Sequence, residues 1–312
     1  MILEQAPFHR LPGDGPAPAR AFWVQSEDGL RLRLAHWPAE RSRGTVFLFT
    51  GRTEYIEKYA VVGDHLANNG FDVLSIDWRG QGMSDRLQSD PRPGHIVDFA
   101  DYQTDVVEML VAAQRLELPR PWHLLAHSMG GAIALAALDG GLPMSRVAFT
   151  APMWGIRHEP FPARLASGLT GTAARLGRGG NPAIRTGGRG TWVLDAPFRG
   201  NLLTSDAQAW GRLVAEADAW PDLTIGGASW SWVNAALREC TRLAARPSPE
   251  QPMLTILGDQ DRIVSTVAIR QRVSDWDGAR LLELSGCLHE PLFELPDLRA
   301  RTMNAILAHF TA

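Results

Sequence analysis

Apolar and polar residues alternate through Leu30-Arg31-Leu32-Arg33-Leu34, and a turn-forming Glu27-Asp28-Gly29 separates this stretch from Phe22 to Ser26. Period-two alternation beside such a turn predicts an antiparallel hairpin over 22–37. From Thr45 the pattern changes to short unbroken apolar runs: VFLF before Thr50, FDVLSI from Phe71, WHLLA from Trp122, VAF from Val147, MLTIL from Met253 and ARLLEL from Ala279. Runs of this kind suit strands covered on both faces, and with the hairpin they make eight predicted strands. Between them Phe99, Tyr102, Val106, Met109, Leu110, Ala113 and Leu116 recur at three- and four-residue spacing, the signature of a helix with one apolar face. Strand and helix therefore alternate. The predicted class is α/β, a mostly parallel, doubly wound sheet that binds ligands outside the carboxyl ends of its strands.

The rhythm breaks between Pro152 and about Pro249, a stretch that holds six of the 11 tryptophans (Trp154, Trp192, Trp210, Trp220, Trp230 and Trp232) and a Gly/Arg-rich tract. It reads as an insertion after the sixth predicted strand, so that 1–151 and 250–312 form a core domain and 152–249 a largely helical cap, or lid. A chain of 312 residues accommodates one such core with an insert. Hydrophobic residues make up 45% of the chain, enough for a sizeable core, and a net charge of −3 offers no field to attract nucleic acid. Two cysteines, Cys240 and Cys287, are too few for a disulfide framework or a four-ligand zinc site and fit a reduced, cytoplasmic setting. The amino terminus lacks the pattern of a secretory signal, and no stretch approaches the roughly 18 apolar residues of a transmembrane helix. Membrane contact is therefore expected only peripherally, through the cap. Arg164, Arg175, Arg178, Arg185 and Arg189 lie between Glu159 and Asp195 with no acidic residue among them, a tract that either meets an anionic headgroup or is simply solvated.

The segment Trp122-His123-Leu124-Leu125-Ala126-His127-Ser128-Met129-Gly130-Gly131-Ala132 runs from an apolar strand straight into a serine flanked by small residues and then into an Ala-rich helix pattern. A nucleophile elbow needs this context, because strand and helix approach so closely there that the neighbours of the nucleophile must be small. A serine also needs a base and an orienting carboxylate, expected downstream in the order Asp, His. Gly258-Asp259-Gln260-Asp261 follows the run from Met253, and Ser285-Gly286-Cys287-Leu288-His289 follows the run from Ala279. His289 is the expected base. His127 adjoins the serine, but neighbouring side chains diverge at a sharp turn, so it is expected to serve packing. Spacing alone leaves both Asp259 and Asp261 open as the carboxylate. Backbone N–H groups after the nucleophile and after the third predicted strand can hold an oxyanion, and these belong to Met129 and to Arg52 in Thr50-Gly51-Arg52-Thr53-Glu54.

T-G-R-T-E-Y-I-E-K-Y (Thr50 to Tyr59), D-W-R-G-Q-G-M-S (Asp77 to Ser84), A-H-S-M-G-G (Ala126 to Gly131), G-D-Q-D (Gly258 to Asp261) and His289 occur in one order along the chain. In this the chain resembles the lysophospholipase and monoacylglycerol-lipase-like branch of the α/β hydrolases, from about Arg20 to the end. In that family the carboxylate closes a G-x-x-D pattern, which by resemblance selects Asp261. Asp77 to Ser84 resembles the family's loop after the fourth strand and is expected to shape the site. Asn201 to Ser205 and Pro221 to Trp232 resemble the cap of the bacterial lysophospholipases. Thr50 departs from the family's histidine before Gly51, and Ala126 from the first elbow glycine; neither departure removes a catalytic atom.

The resemblance implies an α/β-hydrolase fold with eight mostly parallel strands and an inserted helical cap. It implies a serine hydrolase that cleaves carboxylic esters through an acyl-enzyme, with Ser128 as nucleophile, His289 as base, Asp261 as its orienting acid, and the Arg52 and Met129 amides at the oxyanion. Neither a cofactor nor a metal is required. The expected partner is a small ester with an apolar acyl chain, and the cap tryptophans can line a pocket for that chain. The alternatives are a serine acyltransferase or peptidase on the same fold, and a non-catalytic small-molecule binding protein, against which the intact Ser128, Asp261 and His289 argue.

Overall fold

The structure, a computed structural model, describes residues 3–14, 19–157, 177–184 and 186–312. The apolar runs form strands: β1 (Glu4–Gln5), β2 (Arg20–Gln25), β3 (Arg31–Trp37), β4 (Thr45–Phe49), β5 (Asp72–Asp77), β6 (Trp122–His127), β7 (Arg146–Thr150), β8 (Met253–Gly258) and β9 (Arg280–Leu284). They make one sheet in the order β1-β2-β3-β5-β4-β6-β7-β8-β9. β2 and β3 pair antiparallel as the predicted hairpin, β3 joins β5 antiparallel, and every pairing from β5 through β9 is parallel. The eight expected strands are therefore joined by a ninth. β1 has only two residues, both exposed, and is held by pairing Glu4 with Trp23 and Gln5 with Phe22. So short a strand has no periodicity to read.

Successive side chains of a strand point to opposite faces, and in β6 Leu124 and Ala126 enter one core while Leu125 enters the other. On the first face lie α2 (Asp101–Arg115), α3 (Met129–Asp139) and α7 (Thr266–Ser274), which contribute Val106, Met109, Ile133 and Ile269. On the other lie α1 (Ala60–Asn68) and α8 (Pro296–Thr311), which contribute Val62, Leu66, Ile306 and Phe310. Every residue of β4, β5, β6 and β8 is buried, as two covering layers require. β4 hands the chain to β5 on one side, and the chain later returns to β6 on its other side. Loops leaving neighbouring parallel strands in opposite directions open a crevice at their carboxyl ends, and this switch point is where such sheets bind ligands.

Between β7 and β8 the chain leaves the sheet. The described part of this excursion contains α4 (Trp192–Asp195), α5 (Ala207–Ala219), capped by the Asp206 side chain on the Gln208 and Ala209 amides, and α6 (Trp230–Ala244), capped by Ser229. Five of its six tryptophans pack against other rings. Trp154 sits in the main core against Phe149 and Trp276, Trp210 meets Trp192 and Phe198, Trp232 meets Phe99, and Trp220 stacks on His9. Arg178 and Arg189 of the basic tract are exposed, and Arg189 pairs with Asp90 at 2.6 Å; Arg164, Arg175 and Arg185 lie outside the described residues.

His123 in β6 is buried with neither ring nitrogen hydrogen-bonded, stacked on Phe310 and edge-on to Phe71. Burial, reinforced by the Arg146 and His309 charges, pushes it down to about 4. In the unfolded chain a histidine takes its proton near 6.5. From about 6.5 down to about 4 the unfolded state thus holds a proton that the folded state refuses, and stability falls with pH across that window. His123→Phe is expected to raise the melting temperature more near pH 5 than near pH 8. Equal shifts at both pH values would clear His123 of this role.

Candidate active site

β6 ends at His127 and α3 begins at Met129, so Ser128 alone makes the turn, with φ 50° and ψ −119°. A side chain at positive φ is strained by about 1–3 kcal/mol and persists only where its surroundings fix it. Here the Ser128 N–H donates to the Thr150 carbonyl of β7 at 3.1 Å, and its own carbonyl accepts from Gly131 and Met153 at 2.9 and 2.8 Å. The small neighbours are required by contact distance. A Cβ at Gly130 would lie 2.4 Å from the Phe49 carbonyl oxygen, and one at Gly131 2.5 Å from Pro152 Cβ. Ala126, in place of the usual first glycine, is accommodated within β6, where it pairs with Phe49 and Phe149.

The loops after β8 and β9 bring their side chains to this turn. His289 Nε2 lies 2.9 Å from Ser128 Oγ, and His289 Nδ1 lies 2.7 Å from Asp261 Oδ2. All three residues are buried. The carboxylate can only accept, so Nδ1 carries the ring proton and Nε2 presents a lone pair to the serine hydroxyl. The other Asp261 oxygen accepts the Ile263 and Val264 amides at 2.7 and 3.2 Å. Burial acts to raise the Asp261 carboxyl, but the His289 charge, its hydrogen bond and these two amides outweigh burial and hold it below its ordinary value. Asp259 points elsewhere: exposed, it accepts from Ser285 Oγ and the Gly286 amide. The His289 loop is anchored from the excursion, because the His289 and Glu290 amides donate to the Leu202 and Leu203 carbonyls.

Phe49 and Ala126 are paired, so Arg52 and Met129, each three residues farther on, leave neighbouring strands at the same edge of the sheet. Met129 opens α3, where the first amides have no partner within the helix. On either side of Arg52 the amides are engaged, Gly51 N–H with the Glu54 carboxylate and Thr53 N–H with Gln81 Oε1 at 2.5 Å. The Arg52 side chain reaches the Gly226 carbonyl at 2.8 Å and lies over the Trp232 ring. Gln81 was not a candidate from sequence. It lies within the Asp77 to Ser84 motif, but its role appears only once that loop reaches Thr53 and, through Nε2, Met129 Sδ at 3.9 Å.

Beside His127 lies a buried charged cluster that the sequence left unassigned. Lys58 Nζ donates to Glu54 Oε1 at 2.6 Å and to Glu290 Oε1 at 2.7 Å. The one available signal was Glu54 and Lys58, opposite charges four residues apart just after a buried strand. His127, expected from sequence to serve packing, is buried, and its Nδ1 donates to Thr150 at 3.0 Å. Burial drives His127 down to about 3 against the pull of Glu54, so it is neutral. Among the described residues Glu54, His127 and Glu290 bring three potential ligand atoms within 4.8 Å of one another. The Lys58 ammonium already bonds both carboxylates, so the set does not fit a metal ion.

A family model described as "Serine aminopeptidase, S33" matches residues 40–296. The chain belongs to this α/β-hydrolase family. The hydrolase is 31% identical over 316 residues to "Lysophospholipase L2" of Escherichia coli (strain K12), covering 94% of this chain and 90% of that one. It is 28% identical to "Probable lysophospholipase L2" of Haemophilus influenzae, covering 91% and 90%. A solved structure of a soluble variant of monoglyceride lipase from Saccharomyces cerevisiae superposes with a TM-score of 0.74 at 17% identity, covering 98% of this chain and 99% of that one. Sequence and fold thus place the hydrolase in the lysophospholipase and monoglyceride-lipase-like branch, as a carboxylic ester hydrolase. No helix among the described residues is long and apolar enough to cross a membrane.

Proposed function

We propose that the protein is a serine hydrolase that cleaves a lipid or other apolar ester through an acyl-enzyme, as a lysophospholipase or monoacylglycerol lipase. The observation that carries this reading is the row Ser128 Oγ, His289, Asp261, joined at 2.9 and 2.7 Å on a strained elbow. His289 Nε2 takes the hydroxyl proton as Oγ attacks the ester carbonyl carbon. The Arg52 and Met129 amides then donate to the tetrahedral oxyanion, where losing one such donor costs about 3 kcal/mol. The imidazolium, stabilised by Asp261, returns its proton to the departing alcohol. A water, deprotonated by the same ring, attacks the acyl-enzyme and releases the acid and Ser128.

Two observations support an apolar substrate. Relatives bear the names lysophospholipase L2 and monoglyceride lipase. The excursion, which we assign as a cap over 152–249, exposes Ile184, Trp192, Leu194, Phe198 and Leu202, a surface suited to peripheral contact with a lipid layer. The buried, unpaired Cys240 and Cys287 are consistent with a cytoplasmic setting.

Turnover of p-nitrophenyl esters of graded chain length, monoacylglycerols, lysophospholipids and amino-acid p-nitroanilides tests the assignment. Hydrolysis is expected to rise with acyl length and to depend on the headgroup. Indifference to both, or faster cleavage of the anilides, would reject the lipid reading. Products formed with an added alcohol would reveal acyl transfer.

A further inference from the structure

We propose that Lys58 is a positioning residue that holds the oxyanion loop and the base loop in register, an inference that rests on the serine-hydrolase reading above. Lys58 lies in a 3-10 turn, Ile56–Tyr59, that follows the loop after β4. Its Nζ bonds one oxygen of Glu54 and one of Glu290, and sits 4.7 Å from the centre of the Phe293 ring. The second Glu54 oxygen accepts the Gly51 N–H and the Tyr59 hydroxyl, the latter at 2.6 Å. Gly51 precedes Arg52, whose amide faces the oxyanion in our reading, and Glu290 follows His289. The chain of contacts therefore runs from one side of the reacting carbonyl to the other through a single ammonium group.

The composition of this link is costly if its purpose is only to fill space. Lys58, Glu54 and Glu290 are 6%, 4% and 3% exposed, and removing charges from water exceeds what the pair usually returns. Apolar side chains of equal volume would fill the same space at less cost, but they would not set a distance. A hydrogen-bonded ammonium does, because each of its N–H bonds is directional and short. The Glu290 link is also undiluted: its other oxygen, Oε2, is buried without a hydrogen-bond partner. The base loop is therefore tied to the oxyanion loop from this side chain through Lys58, while the His289 and Glu290 amides tie it to the excursion. Transition-state stabilisation needs an N–H donor and the imidazole simultaneously placed, and a misplacement of about 1 Å can cost roughly 100-fold in rate.

The test uses the full chain carrying Lys58→Met, Glu54→Gln, Glu290→Gln, and Lys58→Met combined with Glu54→Gln. Readouts are kcat and KM on a p-nitrophenyl ester, inhibition by a trifluoromethyl ketone, which forms a hemiketal oxyanion, and thermal melting. Lys58→Met is expected to lower kcat about 100-fold with KM within about threefold, and to weaken the ketone by a similar factor. The combined variant is expected to be no worse than Lys58→Met alone, since both break one link. A purely structural role would lower melting temperature while leaving kcat and ketone affinity of the folded protein within about twofold, and would overturn the proposal. If Lys58→Met does not fold, the isosteric glutamines decide by the same criteria. Wild-type protein that resists fluorophosphonate labelling would sink the serine-hydrolase reading itself. Normal labelling of wild type and variants at one rate would sink only the role of Lys58.

Discussion

Ser128→Ala is expected to reduce kcat for ester hydrolysis by about a million-fold and to abolish fluorophosphonate labelling, while the protein still folds and binds substrate. A loss this large follows from the proposed mechanism, in which Oγ forms the acyl bond, and among the described residues no other hydroxyl bonds His289 Nε2. Ser128→Gly should match alanine in activity but differ in stability. Serine and alanine both carry a Cβ at φ 50°, whereas glycine is at ease there, so the glycine variant is expected to be more stable than either by about 1 kcal/mol. Denaturant melts alongside turnover measure both. Activity of the alanine variant within tenfold of wild type would remove Ser128 from the mechanism.

Asp261→Asn is expected to lower kcat by about ten-thousand-fold, and Asp259→Asn to leave it within about twofold. Asp261 Oδ1 faces the Ile263 and Val264 amides, so an asparagine must place its carbonyl oxygen there and turn its NH2 toward His289 Nδ1. That nitrogen then has to accept, the ring proton moves to Nε2, and Nε2 donates toward Ser128 instead of accepting its proton. The fold barely changes while the base is present in the wrong tautomer. The pH dependence follows from the same contacts. A carboxyl held below its ordinary value contributes stability that is complete above the unfolded value of about 3.9 and is lost as pH falls through the lower folded one. The asparagine variant should therefore lose less stability than wild type on acidification below about pH 4. Paired kinetic and melting series on the two variants check both statements, and equal kinetic losses at 259 and 261 would leave the carboxylate unassigned.

The apolar runs and the three- and four-residue spacing of Tyr102, Val106 and Met109 were legible because burial on a strand or helix imprints a period on the chain. The elbow was legible for a related reason: close approach of β6 and α3 excludes large side chains at Gly130 and Gly131, and small residues around a serine are visible in any sequence. Other features leave no local imprint. Asp259 and Asp261 are two residues apart in one loop, and residue types alone offer nothing to separate them; the resemblance to a G-x-x-D pattern chose Asp261, and the contact with His289 agrees. Gln81 became a site residue only when its loop met Thr53, 28 residues away in sequence.

Local chemistry along this chain marked eight of the nine described strands, the helix through Tyr102 and Met109, where the serine turns, and which residue types stand at the strand ends. The tertiary structure alone decided other partners: Gln81 on the Thr53 amide, Lys58 between Glu54 and Glu290, and the Leu202 and Leu203 carbonyls that accept from the His289 loop. Periodicity is written by each residue's own burial. A partnership between residues 232 positions apart, such as Lys58 with Glu290, is written only by the path of the chain between them.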